Sequence, residues 1–292
     1  MRASDINLRD PFVLVHGGRF YLYGTRGATC WGPADGFDAY VSDDLAKWSA
    51  PRVVFHNDGS FWADRDYWAP EVHPYGGAFY MFASFKGTAR RRGTAVLRAD
   101  SPLGPFLPWS EGPVTPAEWE CLDGTLHVDK AGRPWLVFCH EWVQCSDGEI
   151  CVLPLTADLR APADGPTVLF RASEAAWRKR MRHSSGMEGY VTDGPFLWRM
   201  TDGGLVCLWS GFSQSGYTLG QARSESGEIT GPWLQAQPVF TRNGGHGMVF
   251  RDPRGGLFLT LHNPNIHLME RPCFYPVEEH GGTLRLCDAP DL

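Results

Sequence analysis

Three aspartates stand just ahead of apolar, strand-like runs: Asp10 in "RDPFVLV", Asp123 in "LDGTLHV" and Asp193 in "TDGPFLW". Carboxylates gathered in one pocket repel each other, so they must hydrogen-bond, bind a cation or hold a proton, and their pKa values move apart. Glycosidic bond hydrolysis uses such a set. One carboxylic acid protonates the leaving oxygen, and one carboxylate activates water or attacks carbon. A third can orient the acid and raise its pKa. A single aspartate before Gly or Pro is more often a turn former, because its side chain caps backbone N–H groups. Three at matching points of separate repeats favour the chemical reading over the turn reading.

The repeats are the elements that must bring them together. "RDPFVLVHGGRFYLYGT", "WAPEVHPYGGAFYMFAS", "LDGTLHVDKAGRPWLVFC", "TDGPFLWRMTDGGLVCLWS" and "GHGMVFRDPRGGLFLTLHN" each read as a strand, a polar Gly- or Asp-rich turn and a second strand. Their second residues fall at 10, 69, 123, 193 and 246, a spacing of about 55 residues with one longer interval before 193. "SDDLAKWS", "ADSPLGPF", "TADLRAP" and "SGEITGPW" follow in register and read as the outer strand of each sheet with the turn leaving it. Residues 173–182 form the one stretch with helical character. The pattern predicts an all-β fold, a five-bladed β-propeller spanning residues 1–292 as a single domain. In that fold Asp10, Ala69, Asp123, Asp193 and His246 gather at one end of the central channel. The twelve Trp and seventeen Phe are first of all filler between blades.

Composition narrows the partners. Of 292 residues, 43% are hydrophobic and 21% charged, enough for a large core. The net charge of −6 argues against nucleic acid, and the short run Arg90-Arg91-Arg92 reads as a solvated loop tip. Nothing approaches the roughly 18 consecutive apolar residues of a membrane span. The start "MRASDINLRDP" lacks the apolar core of a signal peptide, so a cytoplasmic location is expected, or a secreted one if a leader has been removed. Eight scattered cysteines without a C-x-x-C pair read as mostly buried, reduced thiols, as in a reducing compartment.

"RDPFVLVHGGRFYLYGT", "YWAPEVHPYGGAFYMFAS", "LDGTLHVDKAGRPWLVF" and "DGPFLWR", in that order and spacing, resemble the blade motifs of family 43 glycoside hydrolases, from about Leu8 to "ERPCFYPV". The resemblance implies an inverting glycosidase acting on carbohydrate, with Asp10 as general base and Asp123 as the residue that orients the acid. The family's acid is usually a Glu in an E-G-P motif. Asp193 holds that position here, one methylene short, and Glu188 and Glu141 are the alternative proton donors. The expected activity is exo-release of a terminal sugar, most readily α-L-arabinofuranose. A β-xylosidase, a galactofuranosidase or galactosidase, and a non-catalytic carbohydrate-binding propeller stand as alternatives. Two crowded aspartates are of little use to a lectin, and a scaffold propeller would repeat one signature on every blade.

His246, flanked by Gly on both sides, is the expected ligand if calcium or another ion occupies the channel; no organic cofactor is implied. Trp68, Glu71, His140, Glu141, Trp142, His262 and Arg271 are the expected substrate-binding residues, by aromatic faces or hydrogen bonds to hydroxyls. Trp31 and Phe37, in "CWGPADGFDAY", are expected at the rim.

Overall fold

The computed structural model describes residues 1–287, so residues 288–292 of the expected 1–292 unit lie outside it. Five four-stranded antiparallel sheets follow one another along the chain. The first holds β1 (Leu8–His16), β2 (Arg19–Arg26), β3 (Gly36–Ser42) and β4 (Arg52–His56). The second holds β5 (Arg65–Tyr75), β6 (Ala78–Gly87), β7 (Arg90–Ala99) and β8 (Leu107–Pro108), and the third β9 (Cys121–Val128), β10 (Pro134–His140), β11 (Glu149–Pro154) and β12 (Thr167–Arg171). A small hairpin, β13 (Met181–Arg182) and β14 (Glu188–Gly189), precedes the fourth sheet, β15 (Asp193–Arg199), β16 (Leu205–Ser213), β17 (Gly216–Ser224) and β18 (Trp233–Gln235). The fifth is β19 (Gly245–Arg251), β20 (Leu257–Asn263), β21 (Arg271–His280) and β22 (Thr283–Leu286). This is the expected five-bladed propeller, and the hairpin accounts for the one long repeat interval.

Each blade is buried on both faces, which explains why its second strand is predominantly apolar. In β10, Leu136 and Phe138 pack toward the second blade, while Val137 and Cys139 pack toward the fourth. Alternate side chains on a strand point to opposite faces, so a strand between two neighbours must be apolar at every position. The fully buried cysteines Cys121, Cys139, Cys151 and Cys207 belong to these inter-blade cores, and all eight thiols are free.

The ring closes by side-chain contacts and one backbone hydrogen bond rather than by a shared sheet. Arg9 pairs with the fully buried Glu270 at 2.6 Å, and Asn7 and Leu8 donate to the Glu270 carbonyl. Arg271 donates from Nε to the Ser4 carbonyl at 2.9 Å. Arg271 is therefore part of the clasp between N-terminus and last blade, not a pocket wall as expected.

Two element assignments change. Residues 173–182 do not form an α-helix: a 3-10 turn over Ala172–Glu174 leads through a further turn and irregular chain into β13. Among the described residues the α-helix is α1 (Trp142–Cys145), after β10. The motifs at Ser42, Ala99, Thr156 and Ser226 are the turns between third and fourth strands; the outer strands follow them. Among the described residues no helix is long and apolar enough to cross a membrane.

Candidate active site

The first strand of every blade carries the same irregularity near its start. Arg9 lies opposite Thr25, Trp68 opposite Ser84, Leu122 opposite Cys139, Asp193 opposite Ser210 and Gly245 opposite His262, and after each pair the register slips. The next residue is left-handed in every case: Asp10 at φ 51°, Ala69 at 45°, Asp123 at 57°, Gly194 at 51° and His246 at 51°. Such bulges re-aim a side chain out of the pleat. Four of the five are non-glycine residues, in a conformation that costs roughly 1–2 kcal/mol each.

This register corrects the sequence alignment by one residue in the fourth blade. Gly194, not Asp193, is the counterpart of Asp10, Ala69, Asp123 and His246. The reason is the His246 ring, which lies against Gly194: a Cβ there would stand 2.6 Å from His246 Cδ2. The carboxyl therefore comes from the preceding position, whose counterparts are Arg9 and Trp68.

The ring amides are tied to the preceding blade. Ala69 N–H donates to Thr25 Oγ1 at 2.8 Å, Asp123 to Ser84 Oγ at 2.7 Å, His246 to Ser210 Oγ at 2.7 Å and Asp10 to His262 Nδ1 at 3.2 Å. At the fifth junction the matching residue is Cys139, a poor acceptor, and Gly194 N–H donates instead to Asp123 Oδ2 at 3.0 Å. That exception ties the Asp123 carboxylate to the strand bearing Asp193.

Asp10, Asp123, Asp193 and His246 line one cavity of about 570 Å³ at the channel end. Asp10 Oδ1 faces His246 Nδ1 at 3.1 Å, and Thr25 Oγ1 donates to its Oδ2 at 2.6 Å. Burial pushes the Asp10 carboxyl up, but the His246 charge and hydrogen bond, with Arg9 behind, outweigh it and hold Asp10 ionised far below the usual range. Burial opposes charge on His246 as well, yet Asp10, then Asp123, raise it to about 10, an imidazolium at neutral pH. His246 Nδ1 lies 3.8 Å from Asp123 Oδ2. His262 stays neutral, lowered by burial to about 3; its Nδ1 accepts from Asp10 N–H, and Nε2 faces Asn265 Oδ1 at 3.2 Å.

Asp123 and Asp193 are both raised, chiefly by burial and by the neighbouring carboxylates, against the pull of His246. Asp123 accepts from Gly194 N–H and faces the imidazolium, while Asp193 accepts from Tyr217 Oη at 2.9 Å. Tyr217 is itself stacked on His262, with ring centroids 5.5 Å apart.

The implied channel ion would meet His246 with its Nδ1 already engaged by Asp10 at 3.1 Å. Calcium also prefers oxygen ligands. His246 is itself the cation among three carboxylates.

The expected wall residues divide. Trp68, Glu141 and Trp142 line the cavity. Arg92, 7% exposed, stacks over Trp68 with Cζ 3.9 Å from the ring centroid, and pairs with Asp66 at 3.0 Å and Glu141 at 2.6 Å. It is no solvated loop tip, and Glu141 is committed to it. Glu71 is buried off the wall, paired with His73 at 3.0 Å. His140 stacks on Trp119 and bonds Glu149 and Gln144, behind the wall. His262 is the support beneath Asp10. Glu188 lies exposed on β14, 3.7 Å from Arg180, away from the cavity lining. Trp31, 59% exposed, stands at the rim as expected, whereas Phe37 is wholly buried between the first two blades. Arg9, Asp66, Arg92, Tyr217 and the stretch Met181–His183 were missed. Of these only Arg9 and Asp66 had a signal, each adjoining a first-strand motif.

With this geometry in view, the comparisons agree with it. Residues 4–279 match the model of Glycosyl hydrolases family 43. The chain is 23% identical, over 85% of its length and 72% of the relative's, to an extracellular exo-α-(1→5)-L-arabinofuranosidase of Cellvibrio japonicus. It is 25% identical to an extracellular endo-α-(1→5)-L-arabinanase of Bacillus subtilis, over 48% of this chain and 45% of that one. The crystal structure of an endo-arabinase from Bacteroides thetaiotaomicron superposes with a TM-score of 0.90 at 40% identity, covering 97% of this chain and 98% of that one. Both curated relatives are named extracellular, which overturns the expected cytoplasmic location. Of the free thiols that suggested a reducing compartment, Cys30, Cys121, Cys139, Cys151 and Cys207 are explained by packing instead. The chain belongs to glycosyl hydrolase family 43 and is a glycoside hydrolase, acting on carbohydrate.

Proposed function

We propose that the protein is an inverting exo-α-L-arabinofuranosidase, with Asp10 as general base, Asp193 as general acid and Asp123 as the residue that orients and tunes the acid. One observation carries the assignment: three carboxylates from three blades share a cavity in which one is held ionised and the other two are pushed to retain a proton. Water held by Asp10 gives its proton to that carboxylate as its oxygen bonds to the anomeric carbon. The glycosidic C–O bond breaks on the opposite face, and its electron pair takes the proton of Asp193. The configuration inverts because no covalent intermediate intervenes. The choice of arabinofuranose is supported by relatives that act on α-1,5-arabinan bonds or carry the arabinase name. Exo action is supported by the relative named as an exo-α-(1→5)-L-arabinofuranosidase.

Nitrophenyl arabinofuranoside, xyloside, galactofuranoside and galactoside, with α-1,5-arabino-oligosaccharides, test the sugar. Proton NMR of the first-formed anomer tests inversion, and early retention would overturn the mechanism. Asp193→Ala should lose about 10²–10⁴-fold on oligosaccharides and far less on a dinitrophenyl glycoside, whose phenolate leaves unaided. Asp10→Asn should fail on both. A second reading, endo action, is favoured by the 40% identity to an endo-arabinase. Early release of oligosaccharides from linear arabinan, rather than arabinose alone, would select it.

A further inference from the structure

The run "RKRMRH", residues 178–183, is the densest cationic stretch of a chain with net charge −6, and it leads into the β13–β14 hairpin at the cavity mouth. Met181, Arg182 and His183 line the cavity. His183 packs edge-on against Trp142, another wall residue, with centroids 5.9 Å apart, which holds the hairpin to the wall. Arg178 and Arg180 extend over the Tyr190 ring, at 5.9 and 5.5 Å. Arg178, Lys179, Arg180 and Arg182 are all exposed. Among the described residues, the carboxylate pairing with this group is Glu188, 3.7 Å from Arg180; Arg178, Lys179 and Arg182 have none. By contrast, Arg92 and Arg9, deeper in the cavity, are paired with Asp66, Glu141 and Glu270. The floor is acidic and would repel an anion, while Arg182, the cation of this run that lines the cavity, has no carboxylate partner among the described residues.

We infer that the hairpin recognises an anionic substituent on the sugar that leaves, with the neutral sugar to be released held at the acidic floor. The chemistry is that of a uronate carboxylate or a sulfate ester, either of which guanidinium groups bind through paired N–H donors. The inference rests on the glycosidase reading of the same cavity and adds the class of glycan presented to it. Unpaired exposed cations at a cleft raise both affinity and encounter rate for an anion, and salt screens them, with a Debye length of roughly 10 Å at 0.1 M and 3 Å at 1 M.

The test compares oligosaccharides bearing one terminal arabinofuranose on a galacturonate unit, on its uncharged methyl ester, and on a sulfated neutral sugar. At low salt the wild type should show kcat/KM about tenfold higher for the galacturonate than for the ester. The ratio should fall toward one in 1 M NaCl and in an Arg180→Gln/Arg182→Gln enzyme. A sulfated substrate preferred over the galacturonate would identify sulfate as the anion. Equal rates on acid, ester and sulfated substrate, or a ratio unchanged in the variant, would overturn the inference while leaving the hydrolase reading intact. If no arabinofuranoside is cleaved, the arabinofuranose reading fails by itself. Calorimetric binding of oligogalacturonate and of a sulfated oligosaccharide to wild type and variant then decides the inference, and equal or absent binding of both would reject it.

Discussion

The shift of one residue between Asp193 and its expected counterparts follows from the size of an imidazole. His246 reaches the neighbouring first blade at Asp10, and its ring occupies the space where a fourth-blade side chain would begin. Gly194→Ala must therefore accommodate both a left-handed backbone and a Cβ 2.6 Å from that ring. We expect a loss of about 1–3 kcal/mol in denaturant unfolding, with a fall in kcat. A wild-type midpoint would show that His246 lies elsewhere. The charge on His246 has its own signature. Its pKa is raised from 6.5 to about 10, so the stability it contributes is complete below about 6.5 and lost as pH rises toward 10. The raised Asp123 and Asp193 act in the same direction at lower pH, since their protonated forms are the favoured ones. Unfolding free energy measured from pH 6.5 to 10 should decline in the wild type and decline less in His246→Gln.

At the scale of elements, the propeller is held around the channel by amide-to-hydroxyl bonds between neighbouring blades. Ser84 is fully buried and accepts the Asp123 amide. Ser84→Ala leaves that N–H without a partner, at a cost of about 1–3 kcal/mol, and frees the backbone that aims Asp123. Both stability and kcat should drop, whereas Ser84→Thr should recover most of each. A kcat unaffected by Ser84→Ala would mean that the bulge alone positions the carboxylate.

For the whole molecule, the ring is closed at the junction of the first and last blades. Glu270 is fully buried against Arg9, and removing one partner of a buried pair typically costs about 3–5 kcal/mol. Glu270→Gln should approach that loss in urea unfolding. Arg271→Ala, which releases exposed bonds to Ser4 and Leu268, should cost far less. Equal losses would place the clasp at the N-terminal turn rather than at the ion pair.

Periodicity alone determined much of this protein. Five hairpins at regular intervals leave few folds open, and largely apolar strands without polar alternation mark sheets buried on both faces. The aspartates at the strand mouths were legible because a propeller brings strand starts together, whichever sequence separates them. Tertiary structure decided the rest. Which of Asp193 and Gly194 faces the ring depends on a histidine 52 or 53 residues away, and local sequence carries no trace of that contact. Arg92 looks like part of a basic loop until Trp68 and Asp66, from another strand, meet it. Glu188 and Glu141 have the right chemistry, but one is turned to solvent and the other is held by Arg92. A residue's type is local, whereas its charge state and partners depend on what the fold places within a few ångströms.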